Sequence, residues 1–131
     1  MKSFFAIIGT IGLLAQQAAS HSITPLGDWY DASNWCIRNR KGDLYSPRSH
    51  AENQGAINAC GFSKDCWIGS KRVAPGAGFR NNDGSYPQLN WAPNQPDNYN
   101  SNEDCLHFWS VHPGKVNDNN CFKKFHGVCE I

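Results

Sequence analysis

The sequence predicts an α+β fold stapled by disulfides, with helices early in the chain and strands later. Two observations set the class: capped apolar stripes of helical period lie near residues 28–60, and short aromatic or β-branched runs bounded by turn formers follow residue 65. A third is the presence of six cysteines in a chain of 131 residues.

The chain opens with Lys2, an apolar run from Phe4 to Ala15, and the small residues Ala18-Ala19-Ser20. This is the pattern of a secretory signal peptide at residues 1–20, cleaved after Ser20, with one domain at 21–131. Twelve residues of helix rise only about 18 Å, short of the roughly 30 Å of a bilayer's apolar core, so a secreted, soluble protein is expected. All six cysteines (Cys36, Cys60, Cys66, Cys105, Cys121, Cys129) follow the leader. An oxidising compartment and up to three disulfides fit that usage, and spacing alone leaves 15 pairings open.

Asp28 is placed to cap a first helix, in which Trp29, Ala32, Trp35 and Cys36 form one buried stripe. Ser49-His50-Ala51-Glu52 has the capping-box pattern, with Ser49 serving the first amides and Glu52 reaching back; Ala56, Ile57 and Cys60 follow on one side. Cys66 to Gly69, Cys105 to Trp109 and Gly127 to Ile131 suit strands, and Trp67, Trp91 and Trp109 are expected in the core. From Val73 to Asn102 the chain is rich in Asn, Gly and Pro, and no regular period is sustained. Phe79, Tyr86, Trp91 and Tyr99 make that stretch too aromatic for disorder, so it reads as an ordered loop that bears function.

Charge excludes some functions. Twelve basic residues against eleven acidic ones leave no electrostatic footprint for nucleic acid or an anionic membrane. The densest cluster of hard oxygen ligands is Gln95-Pro96-Asp97, Glu103-Asp104 and Asn117-Asp118. Calcium takes six to eight such oxygens, whereas zinc would want His or Cys at tight spacing, and neither CxxC nor HExxH occurs. Asp97, Glu103 and Asp118 would offset the cation's charge, with Gln95 and Asn117 adding neutral carbonyls.

Trp91-Ala92-Pro93-Asn94-Gln95-Pro96-Asp97, Asn102-Glu103-Asp104-Cys105, Val116-Asn117-Asp118 and Gly127-Val128-Cys129-Glu130 together resemble the C-type lectin domain. Eight positions separate Gln95 from Glu103 and Cys121 from Cys129, as in that family; Trp29, Ala32, Cys36, Gly42, Leu44 and Trp67-Ile68-Gly69 fit its amino-terminal half. The likeness covers essentially all of 21–131. It implies two helices, a small antiparallel sheet and a long calcium-binding loop, with disulfides Cys36–Cys129 and Cys105–Cys121. Cys60 with Cys66 is then the remaining pair.

The resemblance also implies a function: calcium held by Gln95, Asp97, Glu103, Asn117 and Asp118, with a cis bond before Pro96, binds two neighbouring hydroxyls of a sugar. The same residues read those hydroxyls, carboxylates accepting and amides donating. The order Gln, Pro, Asp resembles galactose-type and N-acetylgalactosamine-type members, and Tyr99 sits where such members often carry a ring that packs on the sugar. Glycans ending in galactose-like sugars are therefore the expected partners. Single sites of this kind bind near the millimolar end of the scale, about 4 kcal/mol, so avidity would have to come from a homo-oligomer.

The chain departs from the family at Val116, where tryptophan is usual, and at Ser70-Lys71-Arg72, where members with an auxiliary calcium site place acidic residues. Asp104 is accordingly expected to brace the loop. Asn98 to Asn102 leaves no room for the glycine-rich insertion that sharpens galactose selectivity, so selectivity should be modest. His107, His112 and His126 lie near carboxylates but in no nucleophile or metal motif, and no enzyme is expected. The competing reading keeps the fold and gives it a calcium-independent protein or other surface as target.

Overall fold

A computed structural model describes residues 20–131; the predicted leader, apart from Ser20, lies outside the described residues. Helix α1 spans Trp29–Arg40 and α2 spans His50–Cys60. Strands follow as β1 Cys66–Arg72, β2 Phe79–Asn81, β3 Cys105–Trp109, β4 Lys115–Asn119 and β5 His126–Gly127, with a single 3-10 turn at Tyr99–Ser101.

The helix starts obey local chemistry, though not evenly. Asp28 accepts from the Asp31 amide and Asp31 returns the bond to the Asp28 amide, a full capping box at the first helix, whereas the sequence pattern predicts one at the second. At α2 only half the box forms. Ser49 accepts from the Glu52 amide, while the Glu52 carboxylate lies 4.0 Å from Arg48.

The sheet runs β2-β1-β3-β4, all antiparallel, and β5 lies parallel to the start of β1. Strand alternation sorts the core into two layers. Ile68, Leu106, Phe108 and Val116 face α2 with Tyr45, Ala56 and Val128; Trp67 and Cys105 face α1 with Trp29, Ala32, Cys36 and Leu44. Val116, standing where a tryptophan was expected, is buried among the first set and bridges to Trp91. Trp67 is fully buried, whereas Trp91 is packed at the margin and Trp109 is only half-buried, stacked edge-on against His112.

Two strands were missed. β2 lies inside the stretch expected to be all loop, and β4 reads Lys-Val-Asn-Asp-Asn, with no apolar alternation to signal it. The closing strand is shorter than Gly127 to Ile131: beyond Gly127 the chain makes single bridges, Val128 to Ile23 and Cys129 to Leu44.

The disulfides are Cys36–Cys129, Cys60–Cys66 and Cys105–Cys121. Cys36–Cys129 closes 93 residues of sequence, worth roughly 4 to 5 kcal/mol on the chain-entropy view. Cys105–Cys121 joins the start of β3 to the second residue past β4, so the segments carrying Glu103 and Asp118 are held side by side.

Candidate functional site

The long loop returns along the outer edge of β4. The Val116 amide donates to the Asn90 carbonyl and the Ala92 amide donates to the Val116 carbonyl, each at 2.9 Å. The Gln95–Pro96 peptide is cis, as the resemblance implied, and Asn94, Asn98, Asn100 and Ser101 all adopt left-handed backbone angles. Asparagine tolerates that region because its short polar side chain bonds locally. Asn98 does so here, its Oδ1 accepting from the Glu103 amide at 3.1 Å.

This winding brings Asp97, Glu103 and Asp118 together, with one carboxylate oxygen of each within 4.8 Å of the others. Asp118 is fully buried, and its two oxygens accept from the amides of Asp97 at 3.2 Å and Asn98 at 2.8 Å. Glu103 accepts from the Tyr99 amide at 3.1 Å. Crowding three acids raises their cost. Burial, a hydrogen bond to Asp97 and the charges of Asp118 and Asp97 push the Glu103 carboxyl up to about 7. Burial also raises Asp118 against the pull of the Asn98 and Asp97 amides. Asp97, exposed and accepting from the Glu103 carboxyl, is held below the ordinary aspartate value.

Gln95 lies against the Asp97 carboxylate, and its Oε1 is buried with no hydrogen-bond partner. Such an orphan costs free energy unless something else supplies positive charge. Asn117 projects from the opposite face of β4 to Asp118 and turns its Nδ2 to His107 Nε2, 3.2 Å away. Tyr99 stands two-thirds exposed beside the cluster. The donor set, three carboxylates and a bare amide oxygen, fits a hard, oxygen-ligated dication such as calcium.

Two residues that no sequence motif marks, Arg72 and Asn98, hold the cluster in place. Arg72, at the end of β1, donates through Nε to Asp104 Oδ1 at 3.0 Å, through Nη1 to the Ala77 carbonyl at 2.8 Å and through Nη2 to the Glu103 carbonyl at 3.2 Å. Its Nη2 also lies 3.8 Å from Asp118 Oδ2, and its guanidinium covers the Phe79 ring at 4.4 Å. Asp104 thus braces the loop, as expected, but through an arginine whose role no local pattern disclosed. Asn98, the second, links Asp118 to Glu103, and nothing in an Asn-rich loop singles it out.

Comparison with known proteins settles the family. The family model described as "Lectin C-type domain" matches residues 27–131. The chain belongs to the C-type lectin domain family. Members of that family are generally non-enzymatic carbohydrate-binding proteins. Among curated relatives, E-selectin of Sus scrofa is 31% identical over 98% of this chain, and Collectin-43 of Bos taurus is 32% identical over 77% of it. Lectin subunit alpha of Sarcophaga peregrina is 30% identical over 79%. The chain spans only 28%, 32% and 40% of those three proteins, respectively. Among solved structures, the C-type lectin CEL-I from Cucumaria echinata superposes with a TM-score of 0.71 at 27% identity, covering 85% of this chain and 89% of that one. The mouse scavenger receptor C-type lectin carbohydrate-recognition domain superposes with a TM-score of 0.75 at 24% identity, covering 83% and 86%, a likeness of fold alone. Among the described residues no helix is long and apolar enough to cross a membrane.

Proposed function

We propose that residues 21–131, released from a signal peptide at 1–20, form a secreted, calcium-dependent lectin for galactose-type or N-acetylgalactosamine-type sugars. The observation that carries this reading is the gathering of three carboxylates within 4.8 Å, with Glu103 raised to about 7 by burial first and its acidic neighbours second, and with Gln95 against Asp97 keeping a buried, unpartnered Oε1. That arrangement makes sense as a cation site and poorly as a polar turn. Its family membership supports a carbohydrate as the wider ligand class.

Gln95, Asp97, Glu103, Asn117 and Asp118 would hold the ion, which when bound offsets the carboxylates and offers positions to two sugar hydroxyls. The carboxylates accept the hydroxyl protons, and the amide groups of Gln95 and Asn117 donate to the hydroxyl oxygens. Amide before Pro96 and carboxylate after it set the donor and acceptor positions for the galactose-type arrangement. The exposed Tyr99 ring gives the apolar face of the sugar a surface to pack on. The test is retention on immobilised galactose: binding in calcium, elution by chelator, and loss in Asp97→Ala are expected. Retention that chelator leaves unchanged, or none at all, would refute the proposal, and a glycan array with and without chelator would read the sugar class.

A further inference from the structure

A cavity of about 370 Å³ opens between α2 and the turn that joins β3 to β4. It shares no residue with the proposed calcium set and lies toward the other end of β4: Lys115 and Val116 begin the strand, whereas Asp118 sits near its close. The volume falls at the small end of the range for ligand pockets. Buried Phe108 and Val116 form its floor together with Ile57, and Phe62, 57% exposed, stands at its rim. Val116 bears on the opening: it occupies the position where the family usually carries tryptophan, and a valine takes up less of the space than an indole would.

The walls are braced. Asn53 of α2 accepts from the Tyr45 hydroxyl and donates through Nδ2 to the Gln88 carbonyl at 2.9 Å, while the Gln88 amide donates to the Pro47 carbonyl at 3.0 Å. Lys115 Nζ donates to Asn90 Oδ1 at 3.3 Å, and Gln54 Nε2 donates to Asn58 Oδ1 at 3.0 Å. Among the described residues these bonds leave Lys115 two N–H groups, Asn90 its NH2 and Gln54 its Oε1. Charge narrows what those groups can take. Lys115 and His50 are the ionisable residues lining the cavity, none of the lining residues is acidic, and among the described residues Lys115 forms no ion pair. Amide donors and acceptors suit sugar hydroxyls, an exposed ring suits the C–H face of a pyranose, and an unopposed ammonium suits a carboxylate.

We propose that this cavity is a second, calcium-independent sugar site that takes an acidic sugar, a carboxylated pyranose. The carboxylate meets Lys115, the hydroxyls meet the amide groups of Asn90 and Gln54, and the C–H face packs on Phe62.

Amide-resolved NMR titrations of the protein in chelator test it, with methyl glucuronide as the acidic probe and methyl glucoside as its neutral counterpart. Methyl glucuronide should give saturable shifts at Gln54, Asn90 and Gly114 to Val116, with an affinity near the millimolar end of the scale. Methyl glucoside should bind about tenfold more weakly, since it lacks the charge-assisted bond. Lys115→Gln should abolish that preference for the acid. Phe62→Ala, a change at an exposed position, should weaken methyl glucuronide about three- to tenfold. Shifts that do not saturate, shifts centred on Gln95, Asp97 and Glu103 instead, equal affinity for the two probes, or variants that bind as the wild type does would each overturn the assignment. Calcium-dependent retention on galactose reads the lectin proposal separately, so either site can fail without the other.

Discussion

Glu103 offers the sharpest test of the proposed metal chemistry, because its carboxyl must lose a proton before it can serve a cation. The calcium-free site holds that group near 7, through burial and the two neighbouring acids. Its ionised fraction then falls from about nine in ten at pH 8 to about one in a hundred at pH 5, which predicts an apparent calcium affinity roughly a hundredfold weaker at pH 5. Calcium titrations followed by tryptophan fluorescence across that range would trace the curve. Calorimetry in buffers of different ionisation enthalpy should find about half a proton released per ion at pH 7. Stability without calcium should move the other way. A carboxyl whose folded value exceeds its unfolded one contributes stability that is present below about pH 4.5 and lost as pH rises through about 7. In chelator, Glu103→Gln should therefore gain thermal stability relative to wild type as pH rises from 5 to 8, while its calcium binding drops sharply and loses this pH dependence. Calcium affinity that is flat between pH 5 and 8, with no proton release, would refute the reasoning.

Other outcomes follow from single contacts. Arg72→Met removes the donor that ties β1 to Asp104 and to the Glu103 and Ala77 carbonyls; it should cost roughly 1 to 3 kcal/mol, with the melting temperature falling further in chelator than in calcium because Asp118 then also loses the guanidinium 3.8 Å away. Gly69→Ala would set a Cβ 2.5 Å from the Leu44 carbonyl oxygen, a backbone atom that cannot rotate away, and about 1 to 3 kcal/mol of destabilisation is expected in urea unfolding. Tyr99→Ala should leave calcium titrations unchanged while weakening galactose binding by about 0.5 to 1.5 kcal/mol, measured by competition on the galactose column.

Much of the architecture was legible because it rests on local rules. The cap at Asp28, the stripe of Trp29, Ala32 and Cys36, and the strands beginning at Cys66 and Cys105 are properties of a few consecutive residues and the period they keep. β4 was not legible for a physical reason: its buried polar residues are compatible with the core only because partners arrive from elsewhere. Asp118 is met by two loop amides, Asn117 and Asn119 by the His107 ring. Glu52 and Asp31 make the same point at smaller scale, since a carboxylate three residues into a helix can reach back to the cap or lean toward Arg48, and the pattern of letters is the same.

The candidate site divides along that line. Residue type and spacing marked Gln95, Asp97, Glu103, Asn117 and Asp118 as candidate oxygen ligands, because ligand chemistry belongs to the side chain and the motif order resembles the family's. Tertiary packing alone decided that three of these acids meet within 4.8 Å, that Glu103 holds its proton near neutrality, and that Gln95 keeps a buried oxygen unpartnered. It also brought in Arg72, which lies far from the candidate ligands in sequence and comes within 3.8 Å of Asp118 only once β1, β3 and β4 align. Charge, desolvation and amide orientation are set by what surrounds a group, and those surroundings come from contacts between distant parts of the chain.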